Sequence, residues 1–86
     1  MTAHEAHKKF TTTLKELVVI ACTEYDSCFV FQAVPPKYAT KELVGKVFDS
    51  LYSVSKNSGK VTRFKPFDIP AAEFERGKRL LEYNKF

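Results

Sequence analysis

Arg63, Phe64, Lys65 and Phe67 interleave two cations with two aromatic rings in a single short stretch. That combination suits single-stranded nucleic acid, where cations neutralise phosphates and rings stack on unpaired bases. It suits equally an edge strand whose cations face water and deter unwanted pairing while one ring turns into the core. Lys60 precedes the run, and Arg76, Lys78 and Arg79 follow it. From Lys56 to Arg79 there are seven cations against Asp68, Glu73 and Glu75, which accounts for the whole net charge of +4. If these residues converge they form a basic face for an acidic partner, with Phe64 or Phe67 as its apolar component. The alternative for Arg76, Lys78 and Arg79 is an ordinary wet helix surface with pairs such as Glu75 and Arg79.

Chemistry on a substrate has less support. His4 and His7 are three residues apart on a helical pattern and could fill two positions of a metal site, but no third ligand has supporting spacing nearby. Cys22 and Cys28 are too far apart for a CxxC half-site, and a nucleophilic thiol would need a base other than two histidines near the N-terminus. Facing each other across a hairpin, they could pair in an oxidising compartment; otherwise they act as small buried hydrophobes. Gly45, Gly59 and Gly77 are too scattered for a phosphate loop. No cofactor, no metal and no catalytic residue is therefore expected.

The elements that would position these residues follow from periodicity. Ala3, Ala6, Phe10 and Leu14 predict a helix from Ala3 to about Glu16, which Thr11, Thr12 and Thr13 weaken. Leu17–Thr23 and Cys28–Val34 are β-rich runs around Glu24, Tyr25, Asp26 and Ser27, and read as a hairpin with an aromatic at its tip. A continuing helix is the rival, since Phe10, Leu14, Leu17, Ala21 and Cys28 also fit near-heptad spacing. Pro35 and Pro36 end the second strand. Thr40 is the expected cap of a helix with Val44, Val47, Phe48, Leu51 and Val54 on its buried side, stopped at Lys56–Gly59. Lys60–Phe67 then alternates as a strand, and Pro66 marks it as an edge or an end. Asp68 is placed to cap a last helix with Pro70 in its first turn, Phe74, Gly77, Leu80 and Leu81 inward, and Gly77 at a close backbone crossing.

These readings add up to a single α+β domain over residues 1–86, in the order α-β-β-α-β-α, with a three-stranded, mainly antiparallel sheet packed by helices. Both alternating faces of the hairpin are apolar, so either helices cover both or a second copy does, which makes a homodimer one expected arrangement. With 44% hydrophobic and 28% charged residues the composition is that of a globular protein. The run Leu17–Cys22 is too short to cross a bilayer and Met1–Lys9 lacks a signal core, so a cytoplasmic location without membrane contact is expected. The functional expectation is a small non-catalytic interaction or regulatory protein that binds a protein partner. The contact residues would be Lys60, Arg63, Phe64, Lys65, Phe67, Arg76, Lys78 and Arg79. Nucleic-acid binding through the same residues is the alternative.

Overall fold

The computed structural model describes residues 1–36 and 51–81. Helix α1 (Ala3–Thr13) leads into strands β1 (Val18–Glu24) and β2 (Cys28–Val34). Strands β3 (Leu51–Ser55) and β4 (Val61–Arg63) follow, then a 3-10 turn at Pro66–Asp68, a short helix α2 (Ala71–Glu75) and strand β5 (Lys78–Leu81). All pairings are antiparallel, and the five strands lie in the order β4-β3-β2-β1-β5.

Helix α1 starts at a capping box. The Thr2 hydroxyl accepts the Glu5 N–H at 3.2 Å, and Glu5 Oε1 accepts the Thr2 N–H at 2.9 Å. The Thr2 backbone N–H, and after it the Thr2 hydroxyl, favour the ionised Glu5 carboxylate and lower its pKa. The helix ends at Thr13 rather than near Glu16. Thr11, Thr12 and Thr13 donate their hydroxyls back to the carbonyls of His7, Lys8 and Lys9, a competing use of helix acceptors in its last turn. Ala6 and Phe10 face the sheet, where the Phe10 ring stacks on Phe31 at 5.3 Å and tilts against Tyr52 at 5.5 Å.

The hairpin reading of residues 17–34 holds, and the rival helix does not. A register shift between Val19 and Ala21 lets Val19, Cys22, Phe29, Phe31 and Ala33 join the core under α1. On the other face, Tyr25, Cys28, Val30 and Phe64 form a second buried cluster, with Ile69 and Leu51 against it. Every residue of β2 is buried within one chain. The bare sheet face that would have called for a second copy is therefore not present in the hairpin.

Several expectations fail. The sheet has five strands, not three. Leu51 and Val54, read as the end of a helix, lie in β3 paired to β2; the rest of that helix, including Thr40, Val44, Val47 and Phe48, lies outside the described residues. The last helix stops at Glu75, and Lys78, Arg79, Leu80 and Leu81 form β5 along β1. Asp68 does not cap α2: its Oδ2 accepts the Lys65 N–H at 2.8 Å and so closes the 3-10 turn, while Pro70 stands at the N-cap of α2. Gly59 does take the left-handed conformation (φ 71°), but in the β3–β4 turn rather than at a helix end.

The His7 ring packs on Phe31 with centroids 6.1 Å apart, and burial, then the nearby His4, lower its pKa from 6.5. Because the unfolded chain takes up this proton at higher pH than the folded one, stability should fall as pH drops through about 6.5. The loss should level off once pH is below the native value. Urea midpoints between neutral pH and about pH 5 should show this slope, and His7→Gln should flatten it.

Candidate functional site

The proposed basic face does not assemble. β4 and β5 are the two opposite edges of the sheet, so Arg63 is four strand spacings, about 19 Å, from Lys78 and Arg79. The faces differ too. Arg63 lies over the Tyr52 ring at 5.2 Å, on the α1 side, whereas Arg79 Nε donates to Thr23 Oγ1 at 3.2 Å on the side away from α1. Arg76 pairs with Asp26 at the β1–β2 turn, an exposed contact. Arg79 makes its contact with Thr23 and not with Glu75, because residue 79 is in a strand. Lys56 is engaged as well, with Glu24 at 2.7 Å and over the Phe29 ring at 4.9 Å.

The aromatic partners separate in the same way. Phe64 is only 7% exposed and stacks on Tyr25 at 6.0 Å, so it is core rather than a stacking platform. Phe67 is 95% exposed on the 3-10 turn. Its turn is closed twice: Lys65 N–H donates to Asp68 Oδ2 at 2.8 Å, and Asp68 N–H donates to the Lys65 carbonyl at 2.9 Å. Lys60 is exposed in the β3–β4 turn and Lys65 is exposed just after β4. Of the eight expected contact residues, Lys60, Arg63, Lys65 and Phe67 thus belong to one end of the molecule. Arg76, Lys78 and Arg79 belong to the other, and Phe64 to the interior.

Tyr25 is not an exposed anchor at the hairpin tip. It is 8% exposed, leans over the sheet between Phe64 and Phe74, and its ring fills the space beside Gly77. Gly77 therefore admits a side chain rather than a crossing backbone.

The thiols are poorly suited to chemistry. Cys22 faces the α1 core and Cys28 the opposite cluster, so the two cannot bridge. Burial, then the Glu24 carboxylate, pushes the Cys22 thiol up to about 12, and burial also raises Cys28. Both stay protonated near neutral pH, the unreactive form. Among the described residues there is no group of three or more potential metal ligands, and no helix is long and apolar enough to cross a membrane.

Two concavities accompany these residues. A cleft of about 550 Å³ runs between α1 and the Gly59 turn, but the Thr12 and Thr13 hydroxyls on its wall are spent on helix carbonyls. A second, of about 410 Å³, lies on the other sheet face, between β3, β4 and the 3-10 turn. Its lining includes Ser53, Ser55 and Thr62, none of which the sequence reading singled out. The missing signal is period two: once residues 51–55 are a strand, Ser53 and Ser55 share a face. Comparisons with protein-family models, with curated proteins and with solved structures found no match.

Proposed function

We propose that this chain is a small, non-catalytic cytoplasmic protein that docks on a protein partner through the β4 edge, with Phe67 as the apolar anchor and Lys60, Arg63 and Lys65, from β4 and the turns that flank it, as cationic contacts. The observation that carries this reading is the exposure of Phe67 on a turn closed by two hydrogen bonds. A single exposed apolar side chain is ordinary. One held on a preorganised turn has little backbone freedom left to lose on binding, which favours its use as a contact. The cations of β4 and its flanking turns favour a partner with carboxylates, and they act mainly on approach rate and specificity.

Nucleic acid is the second reading, because the same exposed ring has Lys60, Arg63 and Lys65 near it in sequence. It is the weaker one: single-strand binding draws on several stacking rings along a cationic track, and here Phe64 is buried and Arg76, Lys78 and Arg79 lie at the far edge.

Affinity capture from native lysate, with and without nuclease, using wild type and Phe67→Ser, separates the readings. The expected result is a discrete protein that survives nuclease and is lost, or weakened about tenfold or more, with Phe67→Ser. Loss on nuclease treatment, with a steep fall in binding as salt rises, would select nucleic acid instead. Capture unaffected by Phe67→Ser would remove Phe67 as the anchor. Light scattering tests whether a second copy is the partner, and Phe67→Ser should then convert dimer to monomer.

A further inference from the structure

The groove of about 410 Å³ is built where the sheet face opposite α1 changes character. On that face Val30 of β2 is followed across the sheet by Ser53 of β3 and Thr62 of β4, and Cys28 by Ser55. Apolar side chains pack this face over β2, but the small hydroxyl residues of β3 and β4 leave a notch. Phe64 and Ile69 form an apolar wall, and Asn57, Lys60 and Asp68 stand at the rim.

The polar groups keep capacity for a ligand. Ser53 and Thr62 share one hydrogen bond of 3.0 Å, which uses one of their two hydroxyl hydrogens and leaves the other to donate. Ser55 Oγ accepts the N–H groups of Asn57 and Ser58 at 3.3 Å each, so its own hydrogen remains for a further acceptor. Lys60 and the Asn57 amide add donors, and the Asp68 carboxylate adds an acceptor. With one cation and one anion on the rim, an oxyanion would be attracted by Lys60 and opposed by Asp68, and a cation would meet the reverse. Ligand hydroxyls, which both donate and accept, satisfy the two together.

We propose that this groove binds a neutral polyhydroxylated ligand, a mono- or disaccharide unit, with its C–H face against the half-buried Ile69 of the apolar wall and its hydroxyls on Ser53, Ser55, Thr62 and the rim. The volume is within the roughly 300–1,000 Å³ of ordinary small-ligand sites. The site does not depend on Phe67 acting as a protein anchor.

The test is a backbone amide NMR titration of the full chain with glucose, galactose, N-acetylglucosamine and maltose, and separately with inorganic phosphate. At least one sugar should shift the Ser53, Ser55 and Thr62 amides at millimolar concentration. Ser53→Val, which fills the notch and removes a hydroxyl, should weaken that response by about tenfold or more. Lys60→Gln, at an exposed position away from the core, should weaken it less, and Phe67→Ala should leave it unchanged while abolishing capture of the protein partner. The proposal is overturned if none of the sugars shifts these amides. It is equally overturned if phosphate shifts them more strongly than any sugar, or if Ser53→Val and Lys60→Gln both keep the wild-type response.

Discussion

Phe10→Ala is expected to cost about 3 to 5 kcal/mol, a large share of the domain's total stability, which should be roughly 5–15 kcal/mol. Phe10 is fully buried, and it joins α1 to the sheet through its stack on Phe31 and its contact with Tyr52. Because α1 is a short helix, it depends on packing rather than on its own propensity, and its last turn is already weakened by the three threonines. The loss should appear as a lower urea midpoint with an unchanged slope, together with reduced helical circular dichroism. Phe67→Ala removes the same atoms from solvent rather than from a core, and should change stability by less than about 0.5 kcal/mol. A large effect at residue 67 would mean that its ring is packed and unavailable to a partner.

Gly77→Ala should destabilise the domain by about 1 to 3 kcal/mol, and Gly77→Val by more. A Cβ at residue 77 would run into the Tyr25 ring, and that ring has little room to yield because it is stacked between Phe64 and Phe74, at 6.0 and 5.6 Å. In a domain of this size each kcal/mol corresponds to about 4–8 °C in Tm, so a fall of several degrees or more is expected for the alanine variant. The cause can be isolated. In a Tyr25→Leu background the extra methyl has somewhere to go, and the added cost of Gly77→Ala should shrink to well under half. Equal costs in the two backgrounds would show that the ring is not what Gly77 accommodates. The same contact ties the C-terminal segment to the hairpin, beside the bonds that Ser27 donates to Glu73 through its N–H at 2.8 Å and its hydroxyl at 2.6 Å.

The elements that were legible from the sequence are those set by neighbouring residues. Ala3, Ala6 and Phe10 repeat with the helical period, and two β-branched runs around four polar residues close into a hairpin without help from elsewhere. The left-handed backbone of Gly59, though not its place between two strands, and the edge position implied by Pro66 were legible for the same reason, since each reflects a restriction on one residue's own backbone. Leu51 and Val54 misled because three residues apart they share a helix face, whereas in the strand they point to opposite faces and a short apolar run does not tell the two apart. Their pairing with β2 resolved the ambiguity, and those partners lie about twenty residues earlier in the chain. Leu80 and Leu81 misled likewise: β5 exists because β1, more than fifty residues away, offers an edge to pair with.

Read alone, the residues specify an amphipathic helix, an apolar hairpin and a net positive charge carried by the stretch from Lys56 to Arg79. Where the cations of that stretch go is set by contacts between distant segments. Pairing of β5 with β1 and of β4 with β3 carries two neighbouring basic segments to opposite edges, while packing withdraws Phe64 and leaves Phe67 in water. The physical reason is that helical and strand periods are local steric properties of the chain. Which edge accepts a strand depends instead on backbone hydrogen bonds and apolar burial between distant segments, and spacing along the sequence does not encode either.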